Sequence, residues 1–291
     1  MKKILVLGST GMAGHVITMQ LCKNPGCKVF NVSRKNRLNG HTVVIDAMEI
    51  DRLDDYLQEI SPDVIVNCIG VLNQFAEAEK DKAVFLNSYL PHYLESKYKR
   101  SCTRIIHLST DCVFSGRDGN YPENAFRDGD KFYDRTKAVG EIINDKDLTI
   151  RTSIIGPDMR PEGIGLFNWF MKSRGTIYGY TQVFWNGVTT IELAKLVEML
   201  LNSDISGLVH FVHKSKISKH ELLTILKRKF HREDIEIEEF GNISLDKSLL
   251  NTREDFFYQV PSYAEMIDEM KEWVDNNKHL YPHYFNKRCY I

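Results

Sequence analysis

The first fourteen residues constrain the fold more than any other part of the sequence. Lys2–Leu7 (KKILVL) has the length and apolar character of a buried parallel strand. The segment GSTGMAG follows at 8–14, with glycines three residues apart, and a helical pattern begins directly after it. A strand, a tight glycine turn and a helix in this order aim free backbone N–H groups at a phosphate. We predict a dinucleotide site, rather than a turn without a ligand, with contacts from Gly8, Thr10, Gly11, Met12 and Gly14.

Strand-like and helix-like segments alternate along the rest of the chain. Further strands are predicted at residues 29–32, 42–45, 64–68, 104–108, 148–151 and 208–212. Helices are predicted at residues 15–23, 50–60, 83–97, 131–144, 190–201, 219–230 and 263–276. Repeated β-α units imply a parallel sheet with helices on both faces, whose ligands bind at the carboxyl ends of the strands.

These elements divide into two interleaved parts. We predict an α/β fold in which a Rossmann-type, doubly wound parallel sheet occupies residues 1–156 and binds NADP, with residues 188–213 returning to it. Residues 157–187 and 214–291 would form a smaller α/β lobe that binds the substrate. The chain has 291 residues, 43% of them hydrophobic, which is enough to bury cores of this size.

Charge and cysteine usage argue against several classes of partner. The formal net charge of −1 provides no basic field for nucleic acid or for an anionic membrane. The six cysteines have no CxxC spacing, and His210, His213 and His220 match no zinc motif, so we expect neither a metal site nor disulfides. We recognise no signal peptide and no membrane-spanning run, and we expect a protein of the reducing cytoplasm.

Basic residues follow the second predicted strand, where an NAD site normally carries an acidic residue for the ribose 2′-OH. Arg34, Lys35 and Arg37 stand at this place. A basic group suits a 2′-phosphate, so we predict NADPH as the cofactor, with Arg34 as its main contact and NADH as the alternative. Otherwise these charges are ordinary solvated loop residues.

Polar residues also follow the later strands, at the same edge of the sheet. Asp46 comes after the third strand, where it could reach the adenine amino group. Asn67 and Gly70 come after the fourth strand, where the backbone can lie along the cofactor. Thr110 and Asp111 come after the fifth strand. Because the carboxyl ends of parallel strands meet at one edge, we expect these residues to surround a common site.

Tyr133 and Lys137 lie four residues apart in FYDRTK, so they share one face of a helix. Such a pair occurs by chance in many chains, and its surroundings decide its meaning. Here it belongs to an ordered set over residues 1–156: GSTGMAGH, NCIG, LNSYLP, LSTDCVFSG, FYDRTKAVGE and RTSIIG. This set resembles the extended short-chain dehydrogenase/reductase superfamily. The pattern STD-x-VF-x-G resembles its dTDP-4-dehydrorhamnose reductase branch.

The resemblance implies NADPH-dependent reduction of the 4-keto group of a nucleotide-linked 4-keto-6-deoxy sugar. Tyr133 would donate the proton as the hydride arrives, and Lys137 would lower the pKa of Tyr133 and bind the nicotinamide ribose. Thr110 would hydrogen-bond the substrate carbonyl, and Asn87 of LNSYLP would contact the cofactor. The partner would be a nucleotide-diphosphate sugar, with further candidate contacts at Asp111 (otherwise a structural residue), Asn168 and Trp185.

Several departures from the branch bear on the substrate. FWNGVTT has Thr189 where proline is usual, and SLDKSLLNT lacks an arginine and a proline. Near the tyrosine, Gly129 stands in place of a proline and Asp134 in place of a glycine. Cys112 replaces the glutamate that 4,6-dehydratases carry, which argues against dehydration and favours a packed thiol.

Two other functions stay open. An epimerase would borrow the hydride and return it to the sugar. The regulatory subunit of methionine adenosyltransferase has this reductase-like fold and acts by binding a partner without catalysis. The intact set of Thr110, Tyr133 and Lys137 favours a catalytic protein. The aromatic tail HLYPHYFNKRCYI suggests contact with a second copy, so we also consider a homodimer.

Overall fold

The computed structural model describes residues 1–285. Seven strands form one parallel sheet: β1 (Lys2–Leu7), β2 (Cys27–Ser33), β3 (Thr42–Val44), β4 (Val64–Asn67), β5 (Arg104–Thr110), β6 (Leu148–Thr152) and β11 (Gly207–His210). Their order is β11-β6-β5-β4-β1-β2-β3, so the chain starts inside the sheet and winds outward in both directions. The Rossmann-type, doubly wound α/β fold expected from the sequence is confirmed.

Helices cover both faces of this sheet. Alternate residues of β1 enter different cores: Ile4 and Val6 belong to one, and Leu5 and Leu7 to the other, all fully buried. The helices are α1 (Gly14–Cys22), α2 (Ile50–Ile60), α3 (Asn73–Ala78), α4 (Lys80–Val84), α5 (Leu90–Tyr98), α6 (Phe132–Val139), α7 (Leu166–Lys172), α8 (Thr190–Leu200), α9 (Lys219–Lys229), α10 (Tyr263–Asn276) and α11 (Pro282–Phe285).

Two predicted helices differ from the structure. The helix predicted at 83–97 is interrupted by a π-helical turn, Phe85–Tyr89, and Pro91 lies in the first turn of α5, where a missing N–H is tolerated. The helix predicted at 131–144 is too long, because α6 ends at Val139. Gly140, directly after α6, packs against the π-helical turn, and a Cβ on it would be 1.8 Å from the Asn87 carbonyl oxygen.

The remaining strands are short and form three small sheets. They pair β7 (Ile154–Ile155) with β10 (Val188–Thr189), β8 (Gly175–Tyr180) with β13 (Ile235–Phe240), and β9 (Val183–Trp185) with both β12 (Ile217–Ser218) and β14 (Leu245–Asp246). None of these strands was predicted. Most have only two or three residues and show no alternation, whereas β8 and β13 have six residues each.

One hydrophobic core continues from the sheet into the second half of the chain. The core that contains Ile4 also contains Phe167, Ile177, Leu222 and Met266, all buried. The predicted division into a cofactor domain and a substrate lobe therefore stays a prediction about function, since the two parts are packed through a common core.

Within residues 1–285, no helix is long and apolar enough to cross a membrane. The same residues contain no cluster of three or more side chains that could hold a metal ion. Part of the aromatic tail from which a homodimer was considered, including Cys289, lies outside the described residues.

Candidate active site

The loop between β1 and α1 has the backbone geometry of a phosphate-binding turn. Gly8 has φ +81°, a left-handed conformation that favours glycine, and a Cβ on Gly14 would lie 2.1 Å from the Gly8 carbonyl oxygen. Within residues 1–285, the N–H groups of Thr10 and Met12 make no hydrogen bond, and the buried Ser9 hydroxyl has no partner. These free donors fit the pyrophosphate of a nicotinamide dinucleotide. All five residues predicted to contact the cofactor lie in this loop, and their contacts stay predictions: Gly8, Thr10, Gly11, Met12 and Gly14.

Three other predicted cofactor residues follow neighbouring strands at the same sheet edge. Arg34 is exposed directly after β2, so its guanidinium is accessible. Asp46 is half-buried after β3, and its Oδ1 accepts the Met48 N–H at 3.1 Å. Gly70 is exposed shortly after β4. Their contacts with a cofactor stay predictions.

Asn87 holds the segment after β4 against α6. Its amide Nδ2 donates to the Val71 carbonyl at 3.0 Å and to the Thr136 hydroxyl at 3.1 Å, and its Oδ1 accepts the Val71 N–H at 2.8 Å. The side chain is fully buried. Asn87 therefore shapes the site through the backbone that it positions, and the direct cofactor contact expected from the sequence stays untested. Asn67 is also fully buried, and its amide contacts His107.

Helix α6 places the tyrosine and the lysine on one buried face. Tyr133 is 6% exposed and Lys137 is 4% exposed. The start of the helix is held by a hydrogen bond from the Phe132 N–H to Glu77 Oε1 at 2.8 Å. The Ser88 hydroxyl donates to the Thr136 carbonyl at 2.8 Å and ties the helix to the π-helical turn. The residues at i and i+4 thus share a face that is turned toward the sheet.

The end of β5 brings a hydroxyl beside the Tyr133 phenol. The Thr110 hydroxyl donates to Asp111 Oδ1 and accepts the Cys112 N–H, both at 3.1 Å. Burial raises the pKa of Tyr133 well above its ordinary value, the Cys112 thiol raises it further, and the Thr110 hydroxyl opposes them. A protonated phenol next to a second hydroxyl can donate a proton to a substrate oxygen held between them.

The Lys137 amine is held by groups of β5. Its Nζ donates to the Leu108 carbonyl at 2.7 Å and lies 3.4 Å from His107 Nε2. Burial lowers the pKa of Lys137 to about 8, while Glu141 opposes this shift. Lys137 is not among the main groups that shift the pKa of Tyr133 here, and the expectation that it lowers this pKa in the nicotinamide complex stays a prediction.

Trp185 forms a buried surface in the second lobe, and a lysine lies on it. The Trp185 ring is 5% exposed and stands 5.8 Å from the Tyr263 ring, and Lys219 Nζ lies 5.1 Å from the Trp185 ring centre. Burial lowers the pKa of Lys219 to about 8, while the charges of Asp111 and Cys112 oppose this shift. Lys219 was not predicted from the sequence, because a lysine at the start of an amphipathic helix carries no functional signal.

The unusual Asp134 also faces a lysine of the second lobe. Asp134 is buried, which raises the pKa of its carboxyl, and Lys247 opposes this shift. Burial and Asp111 raise the pKa of Cys112 to about 12, which agrees with the packed thiol expected from the sequence. Lysines of the second lobe and acidic side chains of the first therefore lie close together near Thr110 and Tyr133.

The Asn168 side chain makes its hydrogen bonds within the protein. It is fully buried in α7, and its Nδ2 donates to the Gly163 carbonyl at 2.5 Å and to the Pro161 carbonyl at 3.1 Å. Its Oδ1 lies 3.2 Å from His283 Nε2. Asn168 was predicted to contact the substrate. In the structure its buried amide donates to carbonyls of the preceding loop and holds that loop together, as buried amides generally satisfy nearby acceptors.

Residues 1–241 match the family described as RmlD substrate binding domain. The chain is 26% identical over 252 residues to the spore coat polysaccharide biosynthesis protein SpsK of Bacillus subtilis, covering 83% of this chain and 86% of SpsK. It is 25% identical over 231 residues to the dTDP-4-keto-6-deoxy-D-glucose reductase of Streptomyces niveus, covering 75% of each.

The fold is similar to that of a solved reductase. The dTDP-4-dehydrorhamnose reductase of Bacillus anthracis, crystallised in complex with NADP, superposes with a TM-score of 0.79. The match covers 94% of this chain and all of that one, at 19% identity. At 19% identity, this comparison supports the fold alone.

Proposed function

Because the chain belongs to the RmlD substrate binding domain family, we propose that it is an NADPH-dependent reductase of a nucleotide-linked 4-keto-6-deoxy sugar. The reaction would convert the 4-keto group to a hydroxyl. The family supports a reductase of the nucleotide-sugar type. The Thr110 hydroxyl near the Tyr133 phenol, at the sheet edge that carries the glycine loop, supports the reaction most directly.

The residues have separate roles in this proposal. The nicotinamide, when bound, supplies the hydride. The Thr110 hydroxyl orients the substrate carbonyl, and the Tyr133 phenol donates its proton to the carbonyl oxygen as that oxygen gains negative charge. Lys137 binds the nicotinamide ribose, and the loop from Gly8 to Gly14 binds the pyrophosphate. Burial keeps the Tyr133 phenol protonated, so that it acts as the acid in the direction of reduction.

Arg34 supports NADPH over NADH in this proposal. It is exposed at the end of β2, where a positive charge meets a ribose 2′-phosphate in this fold. Thr110, Asp111 and Trp185 would contact the sugar, together with Lys219 of the second lobe.

The test follows NADPH absorbance with purified protein and dTDP-4-keto-6-deoxyglucose, with and without an added 3,5-epimerase. NADPH oxidation that falls about 10²–10⁴-fold in Tyr133→Phe, the usual contribution of a general acid, supports the proposal. The control is Tyr178→Phe, an exposed tyrosine on β8, which should leave the rate unchanged.

Other outcomes point to other functions. Oxidation only with UDP-, GDP- or CDP-linked keto sugars would keep the reductase and change the nucleotide. Interconversion of two sugars without net NADPH oxidation would identify an epimerase. Tight NADPH binding without turnover of any of these sugars would overturn the proposal in favour of a non-catalytic binding subunit.

A further inference from the structure

A buried chain of side chains connects the end of β4 to Lys137 through a histidine that the reaction does not use. His107 lies on β5 between Asn67 and Lys137. Asn67 and His107 are fully buried, and Lys137 is 4% exposed. Such a chain must satisfy its hydrogen bonds internally, so the position of each proton is restricted.

The backbone determines the direction of this chain. The Ile69 N–H donates to Asn67 Oδ1 at 3.1 Å, which fixes the orientation of the amide. Asn67 Nδ2 therefore donates to His107 Nδ1, also at 3.1 Å. Since Nδ1 accepts, the proton of the neutral imidazole is on Nε2. Burial, with the nearby charges of Lys137 and His92, keeps the pKa of His107 well below its ordinary value, so the ring is neutral.

The Nε2–H of His107 is directed at the amine of Lys137, 3.4 Å away. An ammonium group has three donors and no acceptor, whereas an uncharged amine has a lone pair that can accept this proton. Besides His107, the groups that face Lys137 are the Leu108 carbonyl, Glu141 and Cys68. Glu141 favours the ammonium, but its carboxylate is bound by Arg151, Arg127 and the Ser109 hydroxyl.

We propose that His107 is a positioning residue for Lys137, which holds the lysine amine in place and favours its uncharged form until a dinucleotide binds. Binding would then move Nζ toward the ribose hydroxyls and away from His107 Nε2–H. Lys137 would take up one proton from the solvent to become an ammonium, and no other bond would form or break. The inference rests on the proposed cofactor role of Lys137.

The first test is ¹⁵N NMR of the full-length protein labelled only at histidine, stripped of nucleotide, near pH 7.5. His107→Gln identifies the signals of His107 by their loss. We expect a neutral ring with the proton on Nε2 and Nδ1 unprotonated. A proton on Nδ1, or an imidazolium, would overturn the inference. The tautomer is read from the unaltered protein, and His107→Gln serves only to assign its signals.

The second test measures proton uptake when NADPH binds, by calorimetry in two buffers of different ionisation enthalpy. Because burial lowers the pKa of Lys137 to about 8, uptake should be largest above pH 8 and disappear below about pH 7. His107→Phe removes the Nε2–H. Without this donor, Lys137 should already be an ammonium before NADPH binds, so proton uptake should fall about twofold or more. His41→Gln, an exposed histidine directly before β3, is the control and should retain the uptake.

The outcomes separate this inference from the proposed function. Tight NADPH binding without proton uptake, or equal uptake in His107→Phe, would overturn the role of His107 and leave the reductase proposal intact. Failure of the unaltered protein to bind NADPH or NADH would overturn the proposed function, and this inference with it.

Discussion

The two halves of the chain bring their residues to the candidate site in different ways. Thr110 and Asp111 lie at the end of a long buried strand, and the Thr110 hydroxyl is hydrogen-bonded to neighbours one and two residues away. Lys219 and Trp185 come from a helix and a three-residue strand, and their relative position depends on packing between distant segments. The first arrangement is built mainly from residues close together in the chain. The second is assembled by tertiary contacts between distant segments.

This difference predicts different effects for substitutions in the two parts of the candidate site. A substitution in the strand-edge set should abolish chemistry or cofactor binding while the rest of the protein stays folded. A substitution in the second lobe should change stability or substrate affinity instead. Four variants test this contrast, in order of decreasing expected effect.

Gly14→Ala should have the largest effect. A Cβ at this position would lie 2.1 Å from the Gly8 carbonyl oxygen, so the loop must shift. We expect NADPH binding to fall at least a hundredfold and stability to fall by about 1–3 kcal/mol, as in other overpacked sites. Fluorescence titration with NADPH and thermal unfolding measure both. Gly40→Ala, which would meet no atom within 4 Å, is the control. Normal NADPH binding by Gly14→Ala would place the cofactor elsewhere.

Asn168→Ala should reduce stability more than substrate affinity. It leaves the Gly163 and Pro161 carbonyls without their donor, which costs about 1–3 kcal/mol, or a few degrees in melting temperature. Thermal unfolding and KM for the sugar nucleotide measure the two effects. Asn242→Ala, an exposed asparagine of the same lobe, is the control. An unchanged melting temperature with a raised KM would instead make Asn168 the substrate contact expected from the sequence.

Arg34→Ala should separate the two nicotinamide cofactors. Loss of a charge-assisted contact with the 2′-phosphate would weaken NADPH binding about tenfold or more and leave NADH binding unchanged. Titration with each cofactor gives the ratio. Arg100→Ala, an exposed arginine after α5, should alter neither. An equal loss for both cofactors would contradict the role of Arg34 in choosing NADPH.

Lys219→Met should have the smallest effect and a characteristic pH dependence. The pKa of Lys219 is lowered to about 8 by burial, so its positive charge is present below that pH and is lost as the pH rises through it. KM for an anionic sugar nucleotide should therefore rise a few-fold above pH 8 in the unaltered protein, with about that increase at all pH values in Lys219→Met. Lys214→Met, an exposed lysine, is the control. An identical pH profile in both proteins would exclude Lys219 from the substrate site.

The positions of the residues in the first half of the candidate site could be predicted from the sequence because their signals are local. The glycine spacing, the polar residues after each strand and the Tyr133–Lys137 pair are all short patterns, and the structure places them at one edge of the sheet. The orientation of individual side chains in this part of the site was harder to predict. The direction of Lys137 depends on Leu108 and His107, which are thirty residues away in the chain.

The second half could be predicted only in outline. Its amphipathic helices were found, but strands as short as two residues carry no period. Asn168 looked like a polar residue free to bind a substrate, and only the folded loop shows that its amide is already satisfied.

The order of apolar runs and glycines alone specified the doubly wound sheet and the edge at which a dinucleotide would bind, because backbone geometry limits how β-α units can be arranged. The protonation of His107 and Lys137, the burial of Asn168 and the approach of Lys219 to Trp185 were decided by the tertiary structure. Burial and hydrogen bonding depend on which distant residues surround a group, and no local pattern in the chain records those neighbours.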